Sequence, residues 1–324
     1  MACCGMISAR SAVPERFADS VRMDEVIVTG SRPAVNLRNL PMSVSVVEER
    51  QIERRFEPSL LPVLTEQVPG LFITGRGVMG YGVAAGAAGG MKIRGVGGEP
   101  TSGVLVLING HPQYMGLMGH PLADSYQSMN AERVEVVRGP ASILYGSNAM
   151  GGVVNIITKK GQADGVYNTA RLMYGSFNTL NVEVSNAVRK GKFNSFAALN
   201  YSRTDGHRKD MGFGGWGGYL KLGYDFTAHW KAFADVNLNH FAASNPGSVT
   251  APLIDNDALI TRGMTSFSLD NRYERTSGSL KFFYNFGYHK IDDGHSPGQP
   301  SPDYRFRSRD RMLGITAYQS YRLF

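Results

Sequence analysis

The chain has 324 residues, with 34 Lys and Arg against 27 Asp and Glu, for a formal net charge of +7. A composition that is 42% hydrophobic and 19% charged excludes a disordered, collagenous or coiled-coil protein. The two cysteines are the adjacent Cys3 and Cys4, which excludes a disulfide scaffold, and no apolar run reaches the ~18 residues of a spanning helix.

Met1 to Met23 lacks the apolar core of a secretory signal, because Arg10, Pro14, Glu15, Arg16 and Asp19 interrupt it. Residues 1–23 are expected to be a tail, with a mis-assigned start or an incomplete signal region. Met23 to Gly30 (MDEVIVTG) is a short β-prone stretch. It suits either the first strand of the next domain or a strand offered to another protein.

From there to Lys160 short strands alternate with short helices. Val44 to Val47 reads as a strand and Glu48 to Arg54 as a charged helical turn. Pro58 to Gln67 carries Leu60, Leu61 and Leu64 at helical spacing and is stopped by Pro69-Gly70. Strands are expected at Leu71 to Thr74, Met91 to Arg94, Val104 to Ile108, Arg133 to Arg138 and Val153 to Thr158. The glycines, 39 in all, crowd the loops between them. This is a compact α+β domain.

After Lys160 helical periodicity gives way to period-2 alternation. One face reads Leu180, Val182, Val184; then Leu220, Leu222, Tyr224, Phe226; Trp230, Ala232, Ala234, Val236, Leu238; and Leu280, Phe282, Tyr284, Phe286, Tyr288. The other reads Asn181, Glu183, Ser185; Tyr219, Lys221, Asp225; Lys231, Asp235, Asn237; and Lys281, Asn285, His289. Eight strands are expected, near 167–175, 179–188, 192–202, 218–226, 229–241, 265–273, 279–291 and 311–324. Tight connections alternate with long ones at Arg203 to Gly217, Ala242 to Met264 and Asp292 to Asp310. Short turns on one side, long loops on the other and aromatics near strand ends are features of a membrane barrel. A soluble antiparallel sandwich would turn its apolar face into a core instead.

Catalytic and metal signatures are lacking. Gly75 to Gly80 (GRGVMG) matches GxGxxG, but the following residues to Gly90 are too Gly-rich to open the helix that a dinucleotide site requires. The seven histidines stand isolated, and no haem, zinc or nucleotide cofactor is expected. Lys and Arg are scattered along the chain, so the basic balance does not point to nucleic acid.

The most specific run is Arg133 to Lys160, RVEVVRGPASILYGSNAMGGVVNIITKK. With Pro41 to Val47, Leu60 to Gly70, Met91 to Gly95 and Val104 to Gly110, it makes the sequence resemble the TonB-dependent outer-membrane receptors. The resemblance implies a TonB box at Asp24, Glu25, Val26, Ile27, Val28, Thr29 and Gly30 (segment 24–31), an α+β plug over 32–160, and an antiparallel transmembrane β-barrel portion over 161–324. It implies active uptake of a scarce solute such as siderophore-iron or cobalamin, with energy from TonB of the TonB–ExbB–ExbD complex and the N-terminus and plug on the periplasmic side. Ligand contacts are expected on plug loops, at Arg76, Tyr81, His111, Gln113, Tyr114 and His120, and on the long barrel loops.

A barrel that encloses a plug is of the 22-stranded type, whereas residues 161–324 supply about eight strands. The expectation is a truncated chain. The alternatives are a non-transporting eight-stranded outer-membrane protein with a separate periplasmic domain, and a soluble nucleotide-binding enzyme.

Overall fold

A computed structural model describes residues 6–10 (backbone only), 43–75, 77–83, 89–98, 101–113 and 121–321. β1 (Met6–Arg10) lies antiparallel to β10 (Gly165–Gly175), so part of the expected N-terminal tail is a strand.

The plug starts with β2 (Ser43–Glu48), which runs into α1 (Glu49–Glu53). A capping box starts this helix, with Gln51 Oε1 accepting from the Glu48 backbone N–H at 2.9 Å, so an orphan donor of the first turn is satisfied. α2 (Leu60–Gln67) opens on Ser59, whose hydroxyl accepts from the Leu61 N–H. It buries Leu60, Leu61, Val63 and Leu64. β3 (Leu71–Ile73), β4 (Met91–Ile93) and β5 (Val96–Gly97) form a three-stranded sheet. β6 (Val104–Ile108), β7 (His111–Pro112), β8 (Ala131–Arg138) and β9 (Gly152–Thr158) join β2 in a five-stranded sheet of order β2-β8-β9-β6-β7. β6 and β9 run parallel and the other pairs antiparallel. All five residues of β6 are buried, the continuous apolar reading of a strand covered on both faces. α3 (Ser142–Tyr145) is a single helical turn after Gly139-Pro140.

β11 (Thr179–Lys190), β12 (Phe193–Thr204), β13 (Phe213–Asp225), β14 (Trp230–Ser244), β15 (Ile254–Arg272), β16 (Thr276–His295) and β17 (Phe306–Tyr321) follow β10 in an antiparallel meander. This wall alternates as the sequence implies. Leu220, Leu222, Val236, Leu280, Phe282, Leu313 and Ile315 are exposed on one face, while Asn181, Glu183, Lys221, Asp235, Asn285 and His289 are buried on the other. The plug covers the buried face: Met264 of β15 belongs to the plug's own apolar core, and Met129 packs with Phe196, Ala198 and Tyr219. A plug seated on the polar face does not favour the separate-domain alternative. An apolar outward face rules out the sandwich.

The long connections are shorter than expected. Residues 205–212, 245–253 and 296–305 are all that separates the paired strands at that end, because β13, β15 and β17 begin well before the alternation becomes readable and β16 runs on to His295. The reason is a reversal of polarity along the inner face. Near this end it turns apolar, with Phe241, Ala258, Ile260 and Ile291 packed on Leu122 and Val83 of the plug. The polar-in pattern is therefore lost while the pairing continues. Lower on the wall, Arg262 of β15 reaches past Gly287 of β16 to Asp310 of β17 with contacts of 2.6 and 2.7 Å; a Cβ at Gly287 would collide with both side chains.

Candidate functional site

The functional geometry lies where plug loops and strand ends meet the inner wall. Asn109, in the turn between β6 and β7, has a left-handed backbone (φ +50), which Asn tolerates better than most residues. The turn points its amide into the seam, where Nδ2 donates to Thr158 Oγ1 at 2.9 Å and to Asp235 Oδ2 at 2.8 Å. The Thr158 N–H donates back to Asn109 Oδ1 at 3.1 Å. Tyr219 donates to Asp235 Oδ2 at 2.9 Å and lies 2.7 Å from Thr158 Oγ1, and Ser266 donates to the other carboxylate oxygen.

Two wall ammoniums complete the cluster. Lys281 Nζ donates to the Asn109 carbonyl at 2.9 Å, and Lys221 Nζ donates to Thr158 Oγ1 at 3.0 Å while standing 4.5 Å from the centroid of the Phe233 ring. Buried charges persist only where they are paired and hydrogen-bonded, and here the partners come from both bodies. A second bridge is ionic. Lys159 contacts Glu49 and Glu53 at 2.9 Å each, and Arg171 of β10 contacts Glu53 at 3.3 Å and Glu183 at 3.6 Å. At these two places the seam is polar, held by directional bonds that can be exchanged for water, whereas Met264, Leu122 and Met129 lie in its apolar parts.

At the long-loop end the Gly-rich segment is tied at both ends. The buried Asp124 carboxylate accepts from the backbone N–H groups of Tyr81 at 3.0 Å and Gly82 at 2.8 Å. Thr101 Oγ1 accepts from the Met91 N–H at 2.9 Å. Gly80 (φ +82) lies so close to the wall that a Cβ there would enter the Phe213 ring. Among the described residues of this segment, 81–83 are not helical.

Of the expected ligand-contacting residues, Tyr81, His111 and Gln113 are described. Tyr81 and His111 are buried and Gln113 is half-buried. Tyr81 is 9% and His111 1% exposed. Burial, with a Ser59 hydrogen bond opposing it, pushes the Tyr81 phenol up. Burial, reinforced by the nearby Lys281 and Lys221 cations, pushes the His111 imidazole down to about 3, and its ring lies 5.6 Å from that of Phe283. Gln113 Nε2 donates to the His111 carbonyl and contacts Met264 Sδ. A cavity of about 20 Å³ beside Gln113, lined also by Tyr126, Asn237, Asn239 and Arg262, has room for about one water. Arg76, Tyr114 and His120, with the whole of Asp24 to Gly30, lie outside the described residues.

Asn109 and Thr158 were not singled out from the sequence, although Tyr219, Lys221, Asp235 and Lys281 stand on its polar face. The readable signal was the lone Asn-Gly pair at the end of the buried β6.

Residues 36–153 match the family model for the TonB-dependent receptor plug domain. Over 167 residues the chain is 34% identical to the iron-regulated outer membrane virulence protein of Vibrio cholerae, across 49% of this chain and 23% of that protein. The siderophore receptor PirA of Acinetobacter baumannii superimposes with a TM-score of 0.65 at 18% identity, over 85% of this chain and 44% of PirA. A mutant of the ferric enterobactin receptor PfeA of Pseudomonas aeruginosa gives 0.62 at 18% identity, over 87% and 46%. The matched part of the chain is therefore about a quarter of that curated relative's length and under half of each solved receptor's.

Proposed function

We propose that the chain, whose residues 36–153 match the TonB-dependent receptor plug domain, is a TonB-dependent receptor that serves the active uptake of a metal chelate across the outer membrane. The observation that carries this reading is the seam. A plug retained in good part by exchangeable polar contacts, beside local apolar ones, can be rearranged without unfolding the wall. A ferric siderophore is favoured over cobalamin because the curated relative is iron-regulated and both solved receptors named above take siderophores; each of those properties belongs to the relative.

In this reading the longer-loop end faces the exterior and Asp24 to Gly30 is offered on the periplasmic side as an added strand to TonB of the TonB–ExbB–ExbD complex. Solute held by the plug loops, with Arg76, Tyr114 and His120 among the candidate contacts, is released inward when that strand is pulled. His111 and Gln113, which meet Phe283 and Met264 of the wall, act on the plug's attachment, and Tyr81 remains a candidate ligand contact.

The test is uptake of radioiron presented as a panel of siderophores by iron-starved cells that lack other such receptors and produce this one. Val26→Pro removes a ladder N–H and is expected to abolish uptake while leaving surface binding of the chelate unchanged. Uptake at the normal rate by that variant, or accumulation of cobalamin and no chelate, would overturn the corresponding part of the proposal.

A further inference from the structure

The outward face of the wall carries two aromatic rows. Tyr201, Trp216, His240, Thr261, Tyr288 and Arg309 are successive cross-strand neighbours in the upper row, and Phe193 and Tyr224 start the lower one. The rows are eight residues apart along β12 and β13, about 27 Å at the rise of a strand and roughly 20 Å once strand tilt is allowed for. That is close to the ~25 Å height of a barrel's lipid-facing belt.

On β17 the upper row breaks the pattern. Arg307, Arg309 and Arg311 are exposed on its outward face, directly above Leu313 and Ile315, which are 75% and 61% exposed. Lys290 of β16 stands opposite Arg307, and the Arg309 guanidinium lies 5.6 Å from the Tyr288 ring centroid. At the same level β13, β14 and β15 carry Gly214, Ala242 and Leu259. The nearby carboxylates are engaged elsewhere, Asp292 by Arg305 at 2.7 Å and Asp257 by Ser244 at 2.6 Å. Among the described residues none of Lys290, Arg307, Arg309 and Arg311 forms an ion pair. Cations that read as scattered in sequence are thus gathered by register.

We infer that Lys290, Arg307, Arg309 and Arg311 form a docking surface for the phosphate groups of an anionic lipid in the outer leaflet. The inference rests on the reading that the longer-loop end faces outward. Arg311 stands one row inside the apolar belt, where its stem packs on hydrocarbon and its head must rise to meet an anion. Guanidinium groups take phosphate oxygens bidentately, and basic clusters at this depth select anionic headgroups. The acyl chains of the same lipid then lie against Leu313, Ile315 and Phe282.

The experiment is mass spectrometry of the folded full chain in detergent, incubated in turn with lipopolysaccharide, with the same lipid after enzymatic dephosphorylation, with phosphatidylcholine and with inorganic phosphate. Lipopolysaccharide is expected to be retained. The Arg307→Ala/Arg309→Ala/Arg311→Ala variant is expected to hold it roughly a hundredfold more weakly. Dephosphorylated lipid and phosphatidylcholine should resemble that variant, and Arg→Lys replacements should largely preserve retention. Equal retention by the triple variant, or of dephosphorylated lipid, overturns the inference. So does saturable binding of inorganic phosphate alone that the triple variant loses, which would make the ligand a free ion. Should the triple variant not fold, Lys290→Ala/Arg307→Ala gives the same reading. Chelate uptake without lipid retention counts against this surface only, and retention without uptake counts against the transport reading only.

Discussion

The side-chain amide of Asn109 donates to Asp235 Oδ2 at 2.8 Å, joining a turn of the plug to a wall strand 126 residues later. The bond belongs to neither body alone. Its carboxylate also accepts from Tyr219 and Ser266, so the plug supplies one of three donors to a charge that the wall has taken out of water.

Removing that donor is expected to loosen the plug without dissolving it. Asn109→Ala should cost about 1–3 kcal/mol for a buried acceptor left short, plus about 1–2 kcal/mol because alanine is strained at φ +50. Asn109→Gly loses the same bond but not the backbone term, and should fall between wild type and alanine. The midpoint for proteolysis of the plug in increasing urea measures the order. Identical midpoints for the three proteins would show that the bond carries no load.

His111 should make the plug sensitive to acid. Its imidazole is held neutral to about 3, by burial first and by Lys281 and Lys221 second, whereas an unfolded histidine takes its proton near 6.5. A depressed folded pKa means that the unfolded state binds more protons in between. Stability is thus fully present above about pH 6.5 and is lost progressively as the pH falls towards 3, by up to one proton's worth of slope. His111→Gln should flatten that part of the stability–pH curve, and an unchanged slope in the variant would locate the sensitivity elsewhere.

Gly80 should tolerate no side chain. A Cβ there meets the Phe213 ring and the backbone sits at φ +82. Gly80→Ala alone should expose the segment before Tyr81 to protease, and adding Phe213→Gly, which removes the ring and the Cβ that would collide, should restore the packing part while leaving the ~1–2 kcal/mol left-handed cost. Full protection of the single variant would contradict the contact.

Most of the fold is legible locally. The apolar face Leu280, Phe282, Tyr284, Phe286 and Tyr288 has one orientation throughout β16, and β6 and α2 carry unbroken apolar readings that only burial explains. The strand extensions beyond Thr265 and Gly218 were not legible, because Ala258 and Ile260 turn the inner face apolar where it meets Leu122, and a two-residue period cannot report polarity that changes sign along a strand. The seam is harder still. Thr158, Tyr219 and Asp235 belong to three separate strands, and only the folded register brings them to Asn109. The arginines at 305, 307, 309 and 311 were in plain alternation, but their meaning depends on which face of β17 looks outward, and that is set by Asp310 pairing inward with Arg262.

The central claim is that the wall shows hydrocarbon one face and its plug the other. Spin labels placed singly from Leu280 to His289 of β16, in the protein reconstituted into bilayers, test it through collision with dissolved oxygen and with a water-soluble nickel chelate. Positions 280, 282, 284, 286 and 288 should meet oxygen strongly and the chelate hardly at all, while 281, 283, 285 and 289 should meet neither; Gly287, which has no room for a side chain, is left unlabelled. Free access of the nickel chelate to the even positions would place that face in water and contradict the account.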